Sequence, residues 1–252
     1  MNIDRPGFED IVGLKSLWRE AFGDSDEFIN SFFDTAFSPE RSLAVIENGE
    51  PLAALYWFDC SLNERKMAYV YAVAVAKSRR GQGIGKELLK SAHRRLSDLG
   101  YAGAMLVPGD KELFRFYEKL GYRKAGYKSK ISCSGSSVNV EIRRISAEEY
   151  ALLRRNYLPE GGIVQENENL KFLQRQAEMY AGDDFLLAAR REGNRLLGIE
   201  LLGNAEKAPE ILFSLGCREG DFYTPGRHEP FAMYYPIVDK DVLPTYFGLA
   251  FD

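Results

Sequence analysis

The stretch Val73 to Lys86, VAVAKSRRGQGIGK, constrains the fold more than any other part of the chain. Glycines alternate at Gly81, Gly83 and Gly85. Before them, Met67 to Ala76 (MAYVYAVAVA) is rich in valine and tyrosine and free of turn residues, which predicts a strand. After them, Ile84, Leu88, Leu89, Ala92, Leu96 and Leu99 fall on one helical face. The helix is expected to open between Gly83 and Gly85 and to end before Gly100, a suitable C′ residue. The first N–H groups of such a helix lack intrahelical partners. Glycines there remove the Cβ atoms that would hold a ligand away. An anion at that point gains hydrogen bonds and the positive end of the helix dipole.

Charge agrees with an anionic ligand. Lys77, Arg79, Arg80, Lys86, Lys90, Arg94 and Arg95 stand against one acid, Glu87, in a chain whose net charge is −4. Alone, such a cluster fits a solvated helix face equally well. Two phosphate motifs fail on spacing. A Walker A loop ending at Gly85-Lys86 needs Gly at 80 and Ser or Thr at 87, where the chain has Arg80 and Glu87. A dinucleotide fingerprint from Gly81 needs its third glycine at 86, where Lys86 stands.

The remaining pattern, Arg80-x-x-Gly83-x-Gly85, resembles the pyrophosphate motif of the Gcn5-related N-acetyltransferase superfamily. A strand at Gly103 to Val107 and a short helix follow, and then Phe116-Tyr117-Glu118-Lys119-Leu120-Gly121-Tyr122. This string is similar to the superfamily's second signature, Tyr-x-x-x-Gly followed by an aromatic residue. The resemblance covers roughly residues 8 to 133. It implies a mixed-sheet α/β acyl-CoA N-acyltransferase fold, with acetyl-CoA as co-substrate and no metal. The backbone of Val73, Ala74 and Val75 would pair with the pantetheine arm. The N–H groups of Gly81, Gln82, Gly83, Ile84, Gly85 and Lys86 would hold the pyrophosphate, with charge from Arg80 and Lys86. Asp110 takes the place of a family asparagine beside the cofactor. Tyr117 matches the tyrosine near the cofactor sulfur, where a neutral phenol with a pKa of about 10 can protonate a thiolate. From spacing alone, Tyr117 also fits a core stripe with Leu113, Phe116 and Leu120.

The sequence departs from the family at the general base. Tyr71 stands where many relatives carry a glutamate. Water, Asp110, Asp59 and Glu64 are candidates to take the amine's proton. Another is the chain end, whose apolar TYFGLAF precedes Asp252. Multidomain relatives of the enhanced-intracellular-survival type use a C-terminal carboxylate, so Asp252 is the second expected catalytic residue. A covalent route through Cys60 or Cys133 lacks a nearby histidine in sequence.

At 252 residues the chain can hold two domains. Ser134-Gly135-Ser136-Ser137 reads as a linker between domains at 1–135 and 138–252. Helices are expected at Phe8 to Phe22, Asp26 to Phe37, Glu148 to Tyr157 and Glu166 to Met179. Strands are expected at Arg41 to Glu47 and Pro51 to Phe58, around the hairpin signal Asn48-Gly49, and at Phe185 to Arg190 and Leu196 to Leu202. The hairpin from Ser42 aligns with that from Leu186 at a constant offset of 144: Ala44 with Ala188, Gly49 with Gly193, Leu52 with Leu196. This reads as a duplication, a tandem second acetyltransferase-like half. That half has no Gly-x-Gly opening a helix, so the first half alone is expected to bind the cofactor. The second half is expected to shape the acceptor site or an interface, which allows a homo-oligomer.

Three scattered cysteines, the absence of a signal-peptide core and no apolar run of about 20 residues predict a cytoplasmic protein without membrane contact. Overall acidity argues against nucleic acid. The expected activity is acetyl transfer to a small-molecule amine or exposed amino group, by direct attack in a ternary complex. A non-catalytic CoA-binding regulator and an acyltransferase with another acyl donor are the alternatives.

Overall fold

The computed structural model describes residues 1–227, 229–238 and 242–251. Two helices open the chain, α1 (Ile11–Phe22) and α2 (Asp26–Thr35). Ser25 caps α2 as its spacing predicts, its Oγ accepting the Phe28 N–H at 3.2 Å. Leu14, Leu17 and Trp18 of α1 and Ile29, Phe32 and Phe33 of α2 form the buried faces. Burying each of the larger side chains contributes on the order of 1.5–3 kcal/mol. Against them lie β1 (Ser42–Glu47), β2 (Glu50–Leu62) and β3 (Arg65–Val75), all antiparallel. Asn48 and Gly49 turn the first hairpin with φ of 54° and 80°, as an Asn-Gly turn requires.

Helix α3 (Ile84–Asp98) crosses the opposite face of this sheet and leads into β4 (Gly103–Leu106), parallel to β3. Then come α4 (Lys111–Glu118) and β5 (Arg123–Ser134). The second half holds β6 (Arg143–Arg144), α5 (Ala147–Tyr157), β7 (Val164–Gln165), α6 (Glu168–Gln174) and β8 (Glu178–Ala181). It continues with β9 (Phe185–Glu192), β10 (Arg195–Gly203), α7 (Ala208–Ser214), β11 (Glu219–Pro225) and β12 (Glu229–Pro236). The helix expected over residues 166–179 is thus a short helix followed by an edge strand. Leu170, Leu173 and Ala177 keep a helical period, but Met179 to Ala181 pair with β9 at Ala188 to Leu186.

All strands join one sheet, ordered β1-β2-β3-β4-β12-β5-β11-β10-β9-β8-β6, with β7 pairing β2. The second half repeats the first: β8, β9 and β10 are antiparallel neighbours and β11 lies parallel to β10, as β1, β2, β3 and β4 are arranged. The repeat is displaced by one hairpin from the sequence alignment. Topology equates β9 and β10 with β2 and β3, not with β1 and β2. Short apolar hairpins around a glycine turn look alike whichever pair of strands they join. The exchange between halves is β12, which inserts between β4 and β5.

After β12 the segment 242–251 runs back between the halves. Pro244 and Thr245 carbonyls accept the N–H groups of Gly126 and Tyr127, and Tyr246 O accepts that of Ile163. Gln165 Nε2 donates to Leu249 O at 2.6 Å. Phe251 is 2% exposed, its ring 4.8 Å from Phe58 and 5.1 Å from Phe172. No helix among the described residues is long and apolar enough to cross a membrane.

Candidate functional site

The strand, turn and helix expected at Val73 to Lys86 are present. Gly81 and Gly83 take φ of 77° and 80°, a conformation that any Cβ would strain. The first helical hydrogen bond runs from Glu87 N–H to Gly83 O at 3.1 Å. The N–H groups of Gly83 to Lys86 therefore precede the ladder and face outward. Gly81, Gln82, Gly83 and Lys86 are exposed, while Ile84 is buried and anchors the helix start against β3. Gly85 has an ordinary helical conformation, where a Cβ would meet Val75 Cγ2 at 3.4 Å. The turn is braced from outside. Lys77 N–H donates to Glu20 Oε1 at 2.7 Å, Arg79 pairs with Glu47 at 2.8 Å, and Arg80 Nε donates to Val75 O at 3.1 Å. Glu20 lies 57 residues before Lys77, so no local signal marks it.

Val73, Ala74 and Val75 stand beside this turn. β3 and β4 pair only from Met67/Gly103 to Tyr69/Met105 and then part. A bulge follows on β3: Tyr71 to Ala74 span four residues against the three from Tyr56 to Ala54, and Ala72 takes φ of 49°. The edge of β3 that faces away from β2 is left open for an added extended chain. The slot and the glycine turn adjoin, since the turn is the continuation of β3.

Tyr117 projects from α4 into the core under α3. It is 7% exposed, with its ring 5.5 Å from that of Tyr122. Its hydroxyl has no hydrogen-bond partner among the described residues. Burial, and next the charge of Asp110, push the phenol up to about 12, so it stays protonated across the neutral range. Behind Tyr117, Tyr122 OH meets His93 Nε2 at 2.8 Å and His93 stacks on Tyr235 at 3.7 Å. Burial lowers His93 to about 4, which keeps it neutral. Asp110 is the N-cap of α4, its Oδ1 accepting the N–H groups of Glu112 and Leu113, both at 2.8 Å.

Among the candidate bases, Tyr71 OH donates to Phe251 O at 3.0 Å. Asp252, the next residue, lies outside the described residues. Asp59 and Glu64 belong to the far end of the β2–β3 hairpin. Asp59 faces Ala68, five residues from Val73, or about 16 Å along the strand. It accepts the Tyr101 hydroxyl and lies near Arg41 and Lys66. Glu64 is an exposed turn residue. Cys60 is buried, and burial raises its thiol well above the usual range; Cys133 is raised too. Neither cysteine meets the needs of a thiolate nucleophile.

A cavity of about 870 Å³ opens beside the β4–α4 loop. Val107 to Lys111 and Phe114 line one end. Leu197, Ile199, Tyr223, Phe231, Gly248 and Ala250 line the other. Alternation on β10 and β11 marks Leu197, Ile199 and Tyr223 as one face, but their meeting with the β4–α4 loop depends on the non-local β12 pairing. No group of three His, Cys, Asp or Glu among the described residues is placed to hold a metal.

No curated protein matches the sequence. Solved structures match the fold over nearly the whole chain. A Gcn5-related N-acetyltransferase from Kribbella flavida has 18% identity and a TM-score of 0.69, covering 94% of this chain and 72% of its own. One from Anabaena variabilis has 13% identity and a TM-score of 0.70 over 94% and 72%. Eis1 from Mycobacterium abscessus has 11% identity and a TM-score of 0.66 over 94% and 74%. At such identities the likeness is one of fold. The family model of the acetyltransferase (GNAT) domain matches residues 2–125, the span that holds α1 through α4, the glycine turn and Tyr117. Through that domain the chain belongs to the Gcn5-related N-acetyltransferase (GNAT) family.

Proposed function

We propose that this protein is an acetyl-CoA-dependent N-acetyltransferase that acts on a primary amine by direct attack. The observation that carries the reading is the open helix start at Gly81 to Lys86 joined to the open edge of β3. One end suits a pyrophosphate and the other an extended amide chain, the two halves of a pantetheine cofactor's handle. The amine nitrogen attacks the thioester carbonyl, a C–N bond forms, and the C–S bond breaks. An N–H of the β3 edge at Val73 to Val75 stabilises the oxygen as it gains charge. The departing thiolate takes the Tyr117 proton, which solvent restores. We assign loss of the amine's proton to Asp252, because Phe251 before it is seated on Tyr71, the position where relatives carry a base. The division at residues 135–138 then separates a cofactor half from an acceptor half, with β12 exchanged between them. Three free cysteines fit a reducing, cytoplasmic compartment.

Titration calorimetry with acetyl-CoA, followed by thiol release over an amine panel, tests the reading. Binding of one acetyl-CoA per chain with amine-dependent thiol release is expected. Binding without thiol release would favour the regulatory alternative, to which the tyrosine at position 71 lends support.

A further inference from the structure

The second half keeps a feature that its missing glycine turn makes redundant for cofactor binding. β10 and β11 pair in parallel from Arg195/Glu219 to Gly198/Phe222, after which β10 pairs only with β9, on its other side. Ile199 is an extra residue on β10 between the Gly198 and Glu200 partners of β9, a bulge at the place where β3 has its own. The split between strands that forms the cofactor slot in the first half is therefore present twice. In the second half it faces the 870 Å³ cavity, whose opposite end is the β4–α4 loop. Asp110 of that loop caps α4, the helix that carries Tyr117 about two turns on. The cavity thus runs from the β4–α4 loop, which opens the helix that carries Tyr117, to the split of the second half.

The far end of this cavity joins apolar side chains to one ammonium, that of Lys128. Ile199, Tyr223, Phe231 and Ala250 supply its surface. The two ring faces able to take an ammonium there already carry the chain's own Lys128, with Nζ 3.9 Å from the Tyr223 centroid and 3.6 Å from that of Phe231. The acids on the lining are engaged or peripheral: Asp110 caps α4, Glu118 pairs with Lys124 at 3.4 Å, and Glu229 is exposed. A second cationic group on the acceptor finds no prepared place.

We infer that the split between β10 and β11 is the acceptor subsite, and that the acceptor is a monoamine with an aromatic or branched apolar body. The inference rests on the acetyltransferase reading above. The amine is directed to the β4–α4 loop, and the body lies on Ile199 and Ala250, beside the Phe231 ring that Lys128 covers.

Thiol release is measured with acetyl-CoA and either 2-phenylethylamine or spermidine, for the wild type, Phe231→Ala and Ile199→Ser. A kcat/KM for phenylethylamine at least about tenfold above that for spermidine is expected. Each variant is expected to lower it by about tenfold through the amine KM, since roughly 1.4 kcal/mol of ring or methyl contact is one decade. The acetyl-CoA KM is expected to hold within about twofold, the level at which ordinary mutational noise lies. Preference for spermidine, or variants that leave the amine KM unchanged, would overturn the assignment. Where acetyl-CoA binds but no amine releases thiol, the catalytic reading fails separately. Calorimetry of phenylethylamine on the CoA-loaded protein then decides: binding weakened by Phe231→Ala sustains the subsite, and no binding ends it.

Discussion

Replacing Gly83 with alanine separates the two things this glycine does. Its φ of +80° is in the left-handed region, and a Cβ there meets nothing within 4 Å. The fold therefore registers the change as backbone strain alone, about 1–2 kcal/mol. For a chain of this size that lowers Tm by roughly 2–8 °C. A ligand registers it differently, because the new methyl occupies the approach to the N–H groups of Gly83 to Lys86. Losing one hydrogen bond to a charged phosphate costs about 1.5–3 kcal/mol, or roughly 10- to 150-fold in Kd. Gly23 is the control. It closes α1 with φ of +77° and an equally open Cβ position, and α1 lies across the sheet from α3. Gly23→Ala is expected to match the Tm loss and leave acetyl-CoA affinity unchanged. Calorimetry and thermal melts on both variants measure the difference. Equal affinities for the two would refute the claim that the turn is the phosphate site.

Tyr117→Phe keeps the ring and removes the proton, so kcat is expected to fall by about 10²–10⁴-fold, with acetyl-CoA affinity unchanged by calorimetry. With the phenol near 12, wild-type activity is expected to show no Tyr117-linked loss between pH 6 and about 10. His93 makes stability depend on acid. Its folded pKa of about 4 is depressed from 6.5, so the unfolded chain binds the proton first and stability falls as pH drops from 6.5 to 4. The loss is about 3 kcal/mol, read by denaturant melts, and His93→Phe is expected to flatten that limb. In the second half, Arg154 and Glu200 are a fully buried pair, bonded at 2.7 and 2.9 Å and completed by the Tyr150 and Tyr246 hydroxyls. Glu200→Ala strands the Arg154 charge and is expected to cost about 3–5 kcal/mol by denaturant unfolding. Arg154→Met paired with Glu200→Met is expected to recover most of that loss.

The parts that were legible in the sequence are those with local causes. Alternating glycines ahead of an amphipathic run dictate a left-handed turn at a helix start, and Gly81 and Gly83 adopt it. Ser25 caps the helix it precedes, and Asn48-Gly49 turns the hairpin it interrupts. What sequence reading missed is non-local. Nothing near Phe231 or Tyr234 marks β12 as the strand that fills the gap between β4 and β5, over 90 residues earlier in the chain. The cavity depends on that insertion, so in the sequence Tyr223 and Phe231 fit a pocket wall as well as a core or strand position, and Ile199 carries no signal of its own. Asp110 shows the opposite limit. Its place ahead of α4 was visible, but nothing in the sequence shows that its Oδ1 caps that helix. The hairpins that align in sequence are one strand apart in the sheet, because strand identity in a sheet is set by neighbours and not by hairpin composition.

The Gly81 to Lys86 turn is proposed as the place where the chain holds its cofactor. A crystal structure with CoA bound tests it most directly. The pyrophosphate oxygens are expected within hydrogen-bond distance of the N–H groups of Gly81 to Lys86, and the pantetheine arm along Val73 to Val75. CoA seated instead in the split between β10 and β11, with the glycine turn bare, would contradict it.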